Sequence, residues 1–341
     1  MPVDFTSEFE HICAKQHLSQ ESACALFTQV LNGDLDPILL SALLSALKTK
    51  GESTEEIAGA AMAMRNSAVK FDRPDYAFSD LVGTGGDGHN TINISSAASI
   101  VAASCGIKVA KHGNRSVSSK SGSSDLFAGF GVKLDMSPAT ARQCLDQANF
   151  CFLAAPTYHT GMKHVMPVRT ALKSRTLFNI LGPLANPANP THGIYGVYTP
   201  DLLVPYAQTL LNLGHNNALV VHGSGLDEIA LHGDTQAIHV HDGKCKHITL
   251  SPADFGIAEQ ALDHIKGDTP EYNVAAIRKV LAGDGAQAHT HAIAINAASL
   301  YWLHHQELSL KQCFELVMSA IEAGKPLATI ELAARISQGA E

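Results

Sequence analysis

Two stretches of this chain have the residue types needed to hold a phosphate. The first is Leu81-Val82-Gly83-Thr84-Gly85-Gly86-Asp87-Gly88, followed shortly by Asn93-Ile94-Ser95-Ser96. Its glycines free the backbone to take positive φ and to approach a ligand with no Cβ in the way. Residues 80–82 read as a strand end. An apolar pattern of Ile94, Ala97, Ala98, Ile100 and Val101 then opens a helix, with Ser95 predicted at its N-cap. A strand, a glycine loop and a helix N-terminus suit an anion, because unpaired N–H groups and the helix dipole both face it. Asp87 repels a bare phosphate, so a metal ion or a sugar hydroxyl has to stand between them. The loop is neither a Walker A motif nor a dinucleotide fingerprint, since it has neither the closing Gly-Lys-Ser/Thr nor the G-x-G-x-x-G spacing.

The second stretch is Lys111-His112-Gly113-Asn114-Arg115-Ser116-Val117-Ser118-Ser119-Lys120-Ser121-Gly122, after a short strand predicted to end near Ala110. It carries three cations, several serines and one aliphatic residue. Alone it reads equally as a solvated loop or an anion clamp. One βα unit after the glycine loop, it reads as the second wall of a polyphosphate site. A third feature is the adjacent acid pair Asp227-Glu228, in a glycine-containing turn after the apolar strand 218–221. Taken alone, such carboxylates are most often solvated.

The elements that must position these residues follow from local signals. Ser19 caps a helix that ends near Gly33. Asp36-Pro37 opens another over 38–48, and Ser53-Thr54-Glu55-Glu56 is a capping box before a helix to about Ala68. Strand–helix alternation starts near Asp80, with strands at 150–154, 194–198, 218–222 and 237–241. Helices are predicted from about Ser124 and at Ser137-Pro138. Asp242-Gly243 reads as a hairpin turn before 247–250. The last seventy or so residues return to helical periodicity, at 275–281, 292–302, 311–320 and 327–335. The fold class is therefore α/β: a small helical domain plus a large α/β domain with a mainly parallel central sheet.

Gly-Thr-Gly-Gly-Asp-Gly, Asn-Ile-Ser and Lys-His-Gly-Asn-Arg-x-x-Ser-Ser closely resemble the anthranilate phosphoribosyltransferase family of tryptophan biosynthesis. The resemblance continues through Ala155-Pro156, Tyr158-His159, Met166-Pro167-Val168-Arg169 and Arg175-Thr176-Leu177-Phe178-Asn179. It runs on through Leu181-Gly182-Pro183-Leu184-x-Asn186-Pro187 to Gly225-Leu226-Asp227-Glu228. It covers most of the chain and implies transfer of the 5-phosphoribosyl group from phosphoribosyl pyrophosphate to the amine of anthranilate. It also implies a helical domain of residues 1–70, joined by an insertion around 160–185, against an α/β domain of 71–341. The active site is then expected in the cleft between them, within a fold like that of nucleoside phosphorylases.

Carried over residue by residue, the resemblance assigns phosphoribosyl pyrophosphate to Gly83, Gly86, Asp87, Thr91, Asn93, Ser95, Ser96, Lys111, Ser119 and Ser123. It assigns anthranilate to Gly83, Asn114 and Arg169, whose forked guanidinium suits a carboxylate. Ser95, Asp227 and Glu228 match the metal positions, which implies Mg²⁺, two ions per subunit. No catalytic base is fixed. His112 and His159 are the weak candidates, with water or pyrophosphate as alternatives. Four positions depart from the common pattern: Thr160-Gly161 in place of Pro-Ala, Ala154 in place of Phe, and Ser96 in place of Thr.

Composition narrows the remaining classes. The chain has 341 residues, 45% hydrophobic and 16% charged, with a net charge of −8. An acidic balance argues against a nucleic-acid surface, and no apolar run is long enough for a bilayer. Met1-Pro2-Val3-Asp4-Phe5 does not read as the start of a signal peptide, and the count of seven cysteines is odd, so free thiols in the cytoplasm are the expectation. The eighteen histidines lack zinc spacing and read mostly as surface residues. A homodimer is expected from the resemblance and from excess apolar surface at Leu39, Leu40, Leu43 and Leu44. Association with anthranilate synthase would fit the same pathway. The competing readings are a pyrimidine nucleoside phosphorylase and a nucleic-acid-binding relative of the same fold. The acid pair and the Asn-Ile-Ser segment disfavour the first, and the net charge disfavours the second.

Overall fold

A computed structural model describes residues 3–115 and 120–339. Four helices open it: α1 (Phe5–Cys13), α2 (Gln20–Asn32), α3 (Pro37–Lys50) and α4 (Thr54–Asn66). Their ends follow the local signals. Ser19 accepts the Ser22 N–H, and Gly33 ends α2 at φ +85°. Asp36 caps α3 with Pro37 in its first turn. Ser53 and Glu56 form a reciprocal capping box. Glu56 is fully buried and also takes the Leu18 N–H at 3.0 Å and Lys50 Nζ at 2.8 Å. One carboxylate thus ties α3, α4 and the segment before α2 together.

The sheet has seven strands: β1 (Ser79–Gly83), β2 (Val109–Gly113), β3 (Phe150–Ala154), β4 (His192–Gly196), β5 (Asn217–Gly223), β6 (Thr235–His241) and β7 (Lys244–Leu250). Their order is β3-β2-β1-β4-β5-β6-β7. The first five pair in parallel, and β6 and β7 are antiparallel. The β6–β7 turn has Asp242 at φ +48° and Gly243 at φ +71°, the left-handed pair a two-residue hairpin requires. Successive strands go outward on one side of β1 and then on the other. The carboxyl ends of β1 and β4 therefore flank a topological switch point, where open α/β sheets leave a crevice.

The crossovers carry α5 (Ile94–Ser104), α6 (Ser123–Gly129), α7 (Pro138–Ala148), α8 (Ala155–Tyr158), α9 (Met162–Leu172), α10 (Phe178–Leu181) and α11 (Leu203–Asn212). The chain closes with α12 (Pro270–Leu281), α13 (Gln287–His304), α14 (Leu310–Glu322) and α15 (Lys325–Ser337). Alternation along the strands feeds two cores. Ile194, Leu219 and Val221 face α5, α13 and their neighbours. Tyr195, Val220 and Ile238 share a core with Leu26, Phe27 and Leu43 of the first helices and Val165 and Phe178 of the β3–β4 connection. That connection puts α9 against α2 and α3. Gly161, one of the departures from the common pattern, has a local reason here. A Cβ on it would sit 2.5 Å from the Leu31 carbonyl oxygen at the end of α2.

Several expectations need correcting. Ser95 is not the N-cap of α5; Asn93 holds that position, and its side chain makes no cap. Asn93 is engaged elsewhere, donating to the Ser121 carbonyl at 3.2 Å and accepting from Asn273 Nδ2 at 3.0 Å. Strand β2 runs on through Lys111 and His112, which are buried. Strand β4 spans His192–Gly196 rather than 194–198. Leu40, Leu43 and Leu44 are buried within the chain, and of the four leucines only Leu39 is exposed, beside Ile38. Four of the histidines are not surface residues. His112, His159, His215 and His289 are buried, and others stack in pairs, such as His192 on His304 at 4.1 Å. Neutral imidazole tolerates burial when a carbonyl or another ring meets it. The described cysteines are free. Among the described residues, no helix is long and apolar enough to cross a membrane.

Candidate active site at the carboxyl edge of the sheet

The site begins with two glycines that face each other. Gly83 ends β1, Gly196 ends β4, and the two are in register. A Cβ on Gly83 would lie 2.1 Å from Asp227 Oδ2, and one on Gly196 would lie 1.6 Å from the Asp227 carbonyl oxygen. Only glycine lets the β5–β6 connection reach between the strand ends. A tight turn aims it there. Gly223 and Leu226 exchange backbone hydrogen bonds at 2.9 Å, with Ser224 and Gly225 at positive φ between them.

The two acids then organise the phosphate-type loop from a distance. Asp227 Oδ2 accepts the Gly85 N–H at 2.6 Å. Glu228 Oε1 accepts the Ser95 N–H at 3.1 Å. Glu228 therefore satisfies a first-turn donor of α5 that no neighbouring side chain caps. Gly85, Gly86 and Gly88 all have positive φ, so the chain curls tightly here. Asp87 accepts the His89 N–H at 3.2 Å.

The charge balance at this edge is negative. Burial, followed by the Asp87 carboxylate, raises Asp227 to about 6. Burial, followed by Asp227, pushes Glu228 well above the usual carboxylate range. The cation beneath them is Lys111, whose Nζ donates to the Leu81 carbonyl. Burial lowers its pKa, while Asp80, Glu228 and Asp227 oppose the shift. Asp80 is also buried, raised to about 6 by desolvation, and held by Asn186 Nδ2 at 2.8 Å. Crowded acids around a glycine loop would be relieved by a hard cation. The donors on offer are carboxylates and the Ser95 hydroxyl, which suit Mg²⁺; this ion takes one or two carboxylates and keeps waters and phosphates. Among the described residues no three of His, Cys, Asp and Glu converge on one metal position.

The structure brings Gly83, Gly86, Asp87, Ser95, Lys111, Asp227 and Glu228 to one edge. Lys111 reaches it from within β2 rather than from the following loop. Asn93 is locked to Ser121 and Asn273, and Ser96 is buried on α5. Thr91 bridges to Lys266. Ser123 Oγ donates to the Asn114 carbonyl at 3.0 Å, and the exposed Asn114 takes the Arg115 N–H on its own Oδ1. Ser119 lies outside the described residues.

Arg169 sits on α9, half-buried, and burial lowers the pKa of its guanidinium. That guanidinium has no hydrogen-bond or ion-pair partner among the described residues. His112 and His159 meet edge to face at 5.1 Å, and Gly182 O lies 3.1 Å from His112 Nδ1. Each has a buried Nε2 with no partner among the described residues. Burial opposes protonation of both; it lowers His159 to about 4 and, with His159 beside it, holds His112 well below its ordinary value.

Three further residues hold the site and were not singled out from sequence. Arg175 Nη2 donates to the Gly86 carbonyl at 2.5 Å. It stands in a quoted motif, and its signal is a cation just past α9. Asn186 braces Asp80 from a proline-rich connection. Asn273 braces Asn93 from 180 positions away, with no local signal at all.

Similarity to known proteins agrees with this geometry. The glycosyl transferase family helical bundle domain matches residues 9–68, and the glycosyl transferase family a/b domain matches 75–327. An anthranilate phosphoribosyltransferase of Aeromonas hydrophila subsp. hydrophila is 55% identical over 322 residues, covering 94% of this chain and 93% of that protein. The crystal structure of the enzyme from Thermus thermophilus superposes with a TM-score of 0.92 at 35% identity, over 97% of this chain and 99% of that one. The enzyme from Saccharomyces cerevisiae, in complex with PRPP and Mg, gives a TM-score of 0.90 at 29% identity over 98% of both chains. With the glycine loop, the acid pair and the two-part architecture all in place, this chain belongs to the anthranilate phosphoribosyltransferase family.

Proposed function

We infer that this chain transfers the 5-phosphoribosyl group from phosphoribosyl pyrophosphate to the amine of anthranilate, giving N-(5-phosphoribosyl)anthranilate and pyrophosphate. The observation that carries this is the half-buried pair Asp227 and Glu228, anchored on the N–H groups of Gly85 and Ser95. Acids at a phosphate-type loop make sense for a polyphosphate that arrives with a cation. Asp227, Glu228 and the Ser95 hydroxyl would hold Mg²⁺, as two ions in our reading; the yeast relative is described with PRPP and Mg. The metal, when bound, neutralises charge on the departing pyrophosphate.

The remaining roles fall to the chain itself. The backbone N–H groups of Gly83, Gly86 and Asp87 would receive the phosphates, with Thr91, Asn93, Ser96, Ser119 and Ser123 around them. Lys111 adds positive charge from beneath. Gly83, Asn114 and Arg169 would seat anthranilate. Asn114 can accept from its amine, and the unpartnered Arg169 can take its carboxylate on two donors. The ribosyl C1–oxygen bond breaks with its electron pair leaving on pyrophosphate. The amine nitrogen forms the new bond to C1 and sheds one proton. His112 and His159 are poor bases in this setting, because burial opposes their protonation. Pyrophosphate or water is the better acceptor.

We also take residues 1–70 with 160–185 as the small unit and 71–341 as the large one, with substrates in the cleft between. Exposed Ile38, Leu39 and Met166 suit a homodimer, and cytoplasmic location and association with anthranilate synthase complete the reading. The deciding experiment is a coupled assay for phosphoribosyl anthranilate with and without Mg²⁺, run beside uridine and thymidine phosphorolysis. Phosphorolysis without transfer would overturn the assignment.

A further inference from the structure

Asp227 holds the glycine loop at the Gly85 N–H, and the residues beyond need a hold of their own. A second set of contacts encloses them. Arg175 leaves the segment just beyond α9 and donates Nη2 to the Gly86 carbonyl at 2.5 Å. Its guanidinium lies over the Tyr198 ring, 3.9 Å from the centroid. The Tyr198 N–H in turn donates to Thr84 Oγ1 at 3.1 Å, at the root of the same loop. Thr84, Tyr198, Arg175 and Gly86 therefore close a circuit around the loop. The loop needs it, because Gly85, Gly86 and Gly88 are all at positive φ and glycine backbone is the most costly to order. The circuit also joins the two halves of the site, since α9 carries Arg169 a short distance up the chain.

We propose that Arg175, stacked on Tyr198, is a positioning residue that holds the glycine loop in the curvature that receives phosphoribosyl pyrophosphate. This rests on the phosphoribosyl-transfer reading above. The fork fixes the carbonyl of Gly86 and the flat face packs on the ring, so lysine cannot replace it fully.

The test is steady-state kinetics with each substrate varied, a melting curve, and calorimetric binding of Mg²⁺-pyrophosphate. Arg175→Ala should raise KM for phosphoribosyl pyrophosphate about tenfold or more and weaken pyrophosphate binding comparably. The anthranilate KM should stay within about twofold and the melting point should hold, since Arg175 is exposed. Arg175→Lys should recover part of the loss. Tyr198→Phe should be silent, and Tyr198→Ala should fall between. Unchanged phosphoribosyl pyrophosphate KM in Arg175→Ala would overturn the proposal. So would a lowered melting point with both substrates equally affected, which marks a plain structural strut. Wild-type transfer is the control: if it is absent, the functional reading fails rather than the positioning role.

Discussion

The two walls of the site are built on opposite principles. On the glycine-loop wall several backbone groups are already paired. Gly85 N–H meets Asp227, Ser95 N–H meets Glu228, Thr84 N–H meets the Gly196 carbonyl, and Gly86 C=O meets Arg175. On the wall proposed for anthranilate the Arg169 side chain is half-buried and its guanidinium, among the described residues, has no partner. The first arrangement suits a ligand with many charges, for which the donors must be fixed beforehand. The second leaves a desolvated cation unpaired, which costs free energy until a carboxylate arrives. Specificity for the acceptor would then reside in one group, while affinity for the donor substrate is spread over many.

The most severe way to break the first wall is to remove its acids. Asp227→Ala with Glu228→Ala should lower turnover by about 10³-fold, read in the coupled assay. EDTA should match that loss in the wild type, and Mg²⁺ should reverse it. Asp227→Asn with Glu228→Gln keeps acceptors for Gly85 and Ser95 but removes the charge. If that isosteric pair retained full activity, the acids would be loop anchors only.

Breaking the second wall should do something narrower. Arg169→Ala should raise the anthranilate KM about ten- to a hundredfold, the equivalent of a charge-assisted hydrogen bond of roughly 1.5–3 kcal/mol. KM for phosphoribosyl pyrophosphate and the melting point should stay near wild type, because the mutation removes no contact described within the chain. A stable variant with normal anthranilate kinetics would end the carboxylate-anchor role.

Behind the walls, buried neutral histidines set a pH limit. Burial lowers His159 to about 4, and burial with the nearby Arg65 lowers His215 to about 3. In the unfolded chain both protonate near 6.5. Between pH 6.5 and these folded values the unfolded state binds more protons. Stability is therefore full above about 6.5 and falls on acidification, by about 2 kcal/mol per group at pH 5. Urea melts at pH 7.5 and 5.0 should show the fall, and His215→Gln should flatten it. An identical pH slope in the variant would exclude His215 as a source.

The smallest effect belongs to a position remote from both walls. Ser53→Ala removes one arm of the capping box on α4 and should cost about 1 kcal/mol of stability. Both KM values should be unaffected, which makes it the control for the contrast between the walls.

What the sequence makes readable is what is encoded locally. Ser19, Asp36-Pro37 and Ser53-Glu56 place three helix starts because a cap acts on the next turn. Asp242-Gly243 gives the hairpin for the same reason, and the glycine loop announces itself by composition. The misreadings occur where partners are distant. Ser95 reads as a cap because its real neighbour is Glu228, 133 positions on. Lys111 and His112 read as a loop because polar residues seldom lie inside a parallel strand. Asp80 and the Leu81 carbonyl, one strand over, make their burial tolerable. The histidines read as superficial because no rule of spacing reveals ring stacking or a carbonyl waiting in another element. Arg175 is visible as a letter in a motif, but its hold on Gly86 depends on the fold.

The core shared by the first helices and the β4–β6 face also bears on how the chain is made. Leu26, Phe27 and Leu43 pack with Val165, Phe178, Tyr195, Val220 and Ile238, all synthesised long after them. At roughly 5–20 residues per second, the stretch from residue 66 to residue 240 leaves the ribosome over roughly ten to thirty-five seconds. For that interval the helical bundle has no cover for part of its apolar surface. The nascent chain would be most exposed to aggregation and most in need of a holdase during this window, and a ribosome pause between α4 and β4 would lengthen it.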